Sequence, residues 1–200
     1  MIRILHTADW HIGDFTGPTK DGRNLRAMDT ERCIEALIEK AREVHPNITM
    51  ISGDIFDRTG IGDARSLREV GVAISAIEEL AHTSDYVIVL RGTPNHDGFE
   101  QFERLKQYFA SLPSVKIVTE PCVIGCLGID VACIPGFDKG IFRAHGGALS
   151  KEDENAALTQ ELSNICMGLK AQCTVGRRTA LMAHYTVPGC NPESSQSSIY

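Results

Sequence analysis

Two hundred residues, 42% of them hydrophobic, are enough for one domain with a buried core. No run approaches the roughly 18 apolar residues of a membrane span, and Met1-Ile2-Arg3 enters an apolar segment with no signal-peptide pattern, so a cytoplasmic protein without a membrane partner is expected. The net charge of −6 disfavours unaided nucleic-acid binding, and seven cysteines, an odd number mostly in apolar runs, read as reduced core thiols.

In chain order, Ile2-Arg3-Ile4-Leu5 reads as a strand, followed by Asp9-Trp10-His11. A loop from Gly13 to Asn24 comes next, with Lys20, Arg23 and Arg26 as candidate phosphate contacts or a solvated surface. From Leu25 to Val44, Met28, Ile34, Leu37, Ile38 and Ala41 recur at helical spacing. Ile48-Thr49-Met50-Ile51 is a second strand, leading into Gly53-Asp54-Ile55-Phe56-Asp57. Ala64 to His82 is a second amphipathic helix, and Tyr86 to Leu90 a third strand, leading into Asn95-His96-Asp97. Phe99 to Phe109 reads as a short helix. Cys122 to Ile124 and Ile129 to Ile134 form a hairpin, and Gly136 to Gly147 is a flexible segment. Lys151 to Leu169 is a helix capped by Ser150, and Arg178 to Ala183 is a last strand ending at His184.

Strand, helix, strand, helix, strand implies right-handed crossovers and a parallel sheet whose strand ends open on one edge. Ligand sites in such sheets form beyond those carboxyl ends, so the three polar clusters converge. A lone Asp after a strand is most often a cap or turn former. Independent caps would not place Asp, His and Asn ligand types at successive strand ends. Such side chains suit divalent first-row metals, and a metal pair can clamp both the attacking and leaving oxygens of a phosphoryl transfer. Asp54, on the middle strand end, is the natural bridge. If strand geometry persists, Asp9 and His11 project to one side as i and i+2 and grip one ion. Asn95 and His184 serve the other ion, His96 acts as general acid, and Asp97 or Asp57 orients the histidines. Trp10 is read as packing, and His6 as a surface or core histidine. Cys122 and Cys126 lack a second pair at zinc-site spacing and are set aside.

The order Asp-x-His, Gly-Asp-x-x-Asp, Asn-His-Asp and a later strand-terminal His resembles the calcineurin-like metallophosphoesterase superfamily. Within it, Leu5-His6-Thr7-Ala8-Asp9-Trp10-His11-Ile12-Gly13 and Ser52-Gly53-Asp54-Ile55-Phe56-Asp57-Arg58 look like the SbcD type, the nuclease subunit that works on DNA ends with an SbcC-type ATPase. The resemblance implies a four-layer α/β/β/α sandwich, two packed mixed sheets flanked by helices. It also implies exonuclease and endonuclease action on DNA with two divalent ions, Mn²⁺ ahead of Mg²⁺, Fe or Zn²⁺. It places Asp9, His11 and Asp54 on one metal, Asp54, Asn95 and His184 on the other, and His96 at the leaving group. A homodimer is left open.

Two departures stand out. Thr93-Pro94 lies between Gly92 and Asn95, where the family joins Gly directly to Asn, and no Gly-His-x-His segment follows His184. Residues 1–190 are therefore expected to be a C-terminally incomplete nuclease domain, and 191–200 a polar loop cut in mid-course. A phosphoesterase for small molecules or phosphoproteins, and an inactive scaffold, are the competing readings.

Overall fold

The computed structural model describes residues 1–13, 15–60, 64–137 and 150–185. Its elements are β1 (Ile4–Thr7), β2 (Thr19–Lys20), β3 (Arg23–Asn24), α1 (Leu25–Val44), β4 (Ile48–Ser52), α2 (Ala64–Thr83), β5 (Tyr86–Leu90), α3 (Phe99–Phe109), β6 (Val115–Val118), β7 (Cys122–Cys126), β8 (Ile129–Ile134), α4 (Lys151–Gln172) and β9 (Arg178–Ala183). Among the described residues the larger sheet has the order β1-β4-β5-β6 and is parallel throughout, so of the two sheets expected to be mixed only the smaller one is mixed there. That second sheet, β7-β8-β9, pairs β7 antiparallel and β9 parallel to β8.

The period of two along β4 and β5 builds two cores at once. Ile51, Val87 and Val89 face the helices and join Ile34, Ile38, Ala73, Ile77, Leu80, Phe102 and Leu105. Ile48, Met50, Ile88 and Leu90 point the other way, against Cys126, Ile129, Val131, Cys133 and Met182 of the second sheet. Each fully buried side chain of this kind contributes about 1.5–3 kcal/mol relative to exposure. α4 packs on the outer face of the second sheet and buries Leu169, which completes the helix, sheet, sheet, helix layering of a metallophosphoesterase sandwich. Buried Asp130 on β8 accepts from Thr174 N–H at 2.6 Å and pairs with Arg177 at 3.1 Å, pinning the α4–β9 connection to the sheet.

Several element ends differ from the sequence reading. α1 keeps the bounds read from the sequence and is capped by Asn24, whose side chain accepts from Ala27 N–H. The loop from Gly13 to Asn24 contains the β2–β3 ribbon. The hairpin strand β7 continues to Cys126, so the turn is only Leu127-Gly128, and α4 runs on to Gln172. Ser150 does cap α4, accepting from Asp153 N–H at 3.1 Å. Cys122 and Cys126 sit at opposite ends of β7, about 13 Å apart at strand rise, which excludes a shared zinc. The predicted 191–200 loop and the Gly136 to Gly147 segment beyond Phe137 lie outside the described residues.

Candidate metal centre

The loops after β1 and β4 continue side by side past the ends of their strands. Asp9 N–H donates to the Gly53 carbonyl at 3.0 Å, His11 N–H to Asp54 O at 3.0 Å, and Ile12 N–H to Ile55 O at 2.7 Å. Asp57 N–H returns to Ile12 O at 3.0 Å. Within this ladder Asp9, His11 and Asp54 all take left-handed backbone angles, with φ of 56°, 48° and 50°. Such φ values are uncommon outside glycine and concentrate at functional sites. The strand geometry expected to align Asp9 with His11 therefore stops at Thr7. The left-handed turns bring the pair together instead, with His11 Nε2 3.9 Å from Asp9 Oδ1.

One ligand atom from each of Asp9, His11 and Asp54 falls within 4.8 Å of the other two. Asp9 is exposed, His11 half-buried and Asp54 buried. His11 Nδ1 is buried and has no hydrogen-bond partner in the protein. Two carboxylates and an imidazole, one of whose nitrogens is buried and unpartnered, are a donor set that fits a divalent cation.

Asp54 is also tied to the third and fourth strand ends. Its Oδ2 lies 3.2 Å from His184 Nε2. The Nδ1 of His184 sits 2.6 Å from the Ser52 carbonyl, which only accepts, so Nδ1 carries the hydrogen and Nε2 is the nitrogen turned toward Asp54. The Asp54 hydrogen bond pushes His184 up to about 9, against burial, with help from the Ser52 carbonyl. Burial works to raise Asp54, but hydrogen bonds from His184 and Thr93 outweigh it and hold the carboxyl below its usual range.

Gly92, at the end of β5, allows this closeness, because a Cβ there would lie 2.1 Å from Asp54 N and 2.2 Å from Asp54 Oδ1. The Thr93-Pro94 extension forms a closed turn: the Thr93 carbonyl accepts from His96 N–H at 3.0 Å and Asp97 N–H at 2.8 Å. Asn95 lies on the exposed rim. The donors to Asp54 come from Thr93 instead, N–H at 2.7 Å and Oγ1 at 2.9 Å, a contact that the sequence did not signal beyond the altered loop length.

His96 stands edge-on to His11, ring centroids 4.7 Å apart. Its Nδ1 lies 2.5 Å from the Asp57 carbonyl, so the proton-exchanging nitrogen is Nε2. It is thus the main chain of Asp57, not its carboxylate, that orients a histidine. Asp97 orients none either. It is 1% exposed, and its two oxygens accept from Phe56 N–H at 3.0 Å and Gly92 N–H at 2.6 Å, which staples the second loop to the third. Burial pushes Asp97 up to about 6, against the pull of these amides.

Two grooves flank the cluster, and Asp9 lines both. One, of about 440 Å³, adds His6, Ser52, Thr93, Phe137, His184 and Tyr185. His6, expected as a surface or core histidine, meets Ser52 Oγ there at 2.9 Å. The other, of about 580 Å³, runs along α1 past Trp10, Arg26 and Cys33. Trp10 is buried and donates its indole N–H to Thr7 Oγ1 at 3.0 Å, a packing role. Of the three cationic candidates, Arg23 pairs with Glu31, Arg26 stacks on Phe15 with 4.1 Å to the ring centroid, and Lys20 is exposed on the ribbon.

The fold and this cluster agree with the comparison of the chain with known families. A family model described as calcineurin-like phosphoesterase matches residues 2–196. The chain belongs to the calcineurin-like phosphoesterase family, and is a metal-dependent hydrolase of phosphoesters.

Proposed function

We propose that this hydrolase is a phosphodiesterase acting on DNA, of the SbcD nuclease type. The observation that carries the reading is the place of Asp9 on the walls of both grooves. Ala8 and Asp9 line both, so a polymer lying along the two grooves would pass Asp9, whereas a small phosphoester needs only one of these spaces. The Asp-Trp-His and Gly-Asp-Ile-Phe-Asp-Arg contexts favour the same type. Asp9, His11 and Asp54 would hold one ion, and Asp54, Asn95 and His184 the other, with Mn²⁺ the expected metal. Bound divalent ions supply positive charge against the phosphoryl oxygens and lower the pKa of water to nucleophilic range. His96, fixed through Nδ1–H on the Asp57 carbonyl, delivers a proton from Nε2 to the departing sugar oxygen. Arg26, on the groove wall, meets the phosphate backbone. An SbcC-type ATPase subunit would supply the basic surface that a chain of net charge −6 lacks, in the cytoplasm. Among the described residues no helix is long and apolar enough to cross a membrane.

The engagement of Arg23 with Glu31 and of Arg26 with Phe15 favours a second reading, a phosphoesterase for small molecules or phosphoproteins. End-labelled single- and double-stranded DNA and a nitrophenyl phosphate ester, each incubated with Mn²⁺ and the chain, separate the two. DNA cleavage that His96→Ala abolishes supports the nuclease. Turnover of the nitrophenyl ester alone supports the second reading, and no turnover by folded, metal-loaded protein supports a scaffold.

A further inference from the structure

We propose that Thr93 is the positioning residue that commits Asp54 to hold metal through a single oxygen, Oδ2. This rests on the metal-centre reading above and adds a determinant from the loop extension. The Thr93 amide and hydroxyl both donate to Asp54 Oδ1, at 2.7 and 2.9 Å, and two such donors match the two lone-pair directions of a carboxylate oxygen. Gly92 closes the same oxygen from another side, because a Cβ there would lie 2.2 Å from it. Oδ2 is left as the oxygen that faces His184 Nε2, at 3.2 Å. The terminal torsion of an aspartate is broad and roughly two-fold, so an unheld carboxylate presents either oxygen to an ion. Thr93 removes that choice.

Thr93 is itself held firmly enough to do so. Its carbonyl accepts from His96 and Asp97, which closes one turn over Pro94 and Asn95. Pro94 follows Thr93 at the turn position where a fixed φ near −65° is favoured. The two extra residues thus build a rigid arm whose hydroxyl reaches the most buried carboxylate of the cluster, Asp54, 6% exposed. Hydrogen bonds to metal-bound carboxylates of this kind are typically worth roughly 10–100-fold in metal affinity.

The test is calorimetric titration of the full chain with Mn²⁺, comparing wild type with Thr93→Val, Thr93→Ala and Thr93→Ser, alongside thermal unfolding of each metal-free protein. Thr93→Val preserves shape and the amide but lacks the hydroxyl, and is expected to bind Mn²⁺ roughly 10–100-fold more weakly. Thr93→Ala, which replaces Val if that variant does not fold, shows the same loss. Thr93→Ser keeps the donor and restores wild-type affinity. Equal affinity in the folded hydroxyl-free variants and wild type, or equal weakening in Thr93→Ser, overturns the inference and leaves the metal centre standing. A folded wild type that takes up no Mn²⁺ overturns both.

Discussion

His184 Nε2 approaches Asp54 Oδ2 to 3.2 Å across the boundary between the two sheets, while its other nitrogen is fixed on the Ser52 carbonyl. This contact ties β9 of the smaller sheet to β4 of the larger one at the edge where all the polar clusters meet.

Without metal, the pair is a charged hydrogen bond, worth about 1.5–3 kcal/mol in typical proteins. The folded-state pKa of His184, about 9, lies above its ordinary value of 6.5, so its stabilisation is full below pH 6.5 and lost as pH rises through 9. Asp54 is shifted the opposite way, and its share is present above its ordinary value of 3.8 and lost on acidification below it. Thermal unfolding of metal-free wild type and His184→Gln should therefore differ most between pH 4 and 6.5 and converge above pH 9. A difference that stays constant from pH 6.5 to above pH 9 would show that the pair does not titrate.

Metal uptake reverses the preference, since an imidazole ligand must be deprotonated. Mn²⁺ affinity of the wild type should rise with pH up to about 9, with protons released on binding. The buffer dependence of the calorimetric heat measures that release, and no dependence would argue against His184 as a ligand.

His96 and Asp97 are neighbours with separable roles. His96→Ala should lower turnover about 10²–10⁴-fold, the usual range for a positioned acid, with little change in unfolding temperature. Asp97→Ala strands the Phe56 and Gly92 amides in a buried setting, at a cost of about 2–4 kcal/mol. Denaturant melts of both variants check the split. A stable Asp97→Ala protein would remove its assigned role as a staple.

Gly92→Ala forces a methyl group into the Asp54 backbone and should destabilise the fold by about 1–3 kcal/mol or more. Gly71→Ala on the exposed side of α2 meets nothing within 4 Å and should stabilise it by about 0.5–1 kcal/mol. The opposite signs distinguish a steric requirement at Gly92 from general sensitivity to glycine loss.

Cys122 faces Cys133 across the hairpin, and interaction with the Cys133 thiol holds Cys122 below the usual thiol range. Its alkylation by iodoacetamide, followed by peptide mass spectrometry, should reach half its maximum rate below pH 9, the ordinary thiol value. Cys133→Ala should move that midpoint upward.

Much of this was legible in the sequence for identifiable reasons. The periodic apolar stripes of α1 and α3 and the apolar run of β9 fixed those elements to the residue, because each is long or sharply bounded. β6 escaped notice, as Val115–Val118 is four residues with Lys116 among them. The neighbourhood of Asp9, His11 and Asp54 followed from topology, yet their alignment comes from left-handed backbone turns that no spacing rule announces. Thr93 and Asp97 were harder still. Asp97's part depends on which main-chain amides lie within its reach, and Thr93's on a carboxylate that the fold brings to its own amide and hydroxyl from 39 positions away.

The ladder between residues 9–12 and 53–57 has a consequence for how such a site can vary over evolutionary time. One residue inserted into either loop would slide the two chains out of phase and draw Asp9 and His11 away from Asp54. The loop from Gly92 to Asp97 is joined to the second loop by the Asp97 carboxylate and one main-chain bond, Thr59 N–H to the Asn95 carbonyl at 3.2 Å, rather than by a ladder, so its register is free to accept a change of length. Lineages of this architecture should therefore keep the first two motifs at constant spacing and record their divergence in the third.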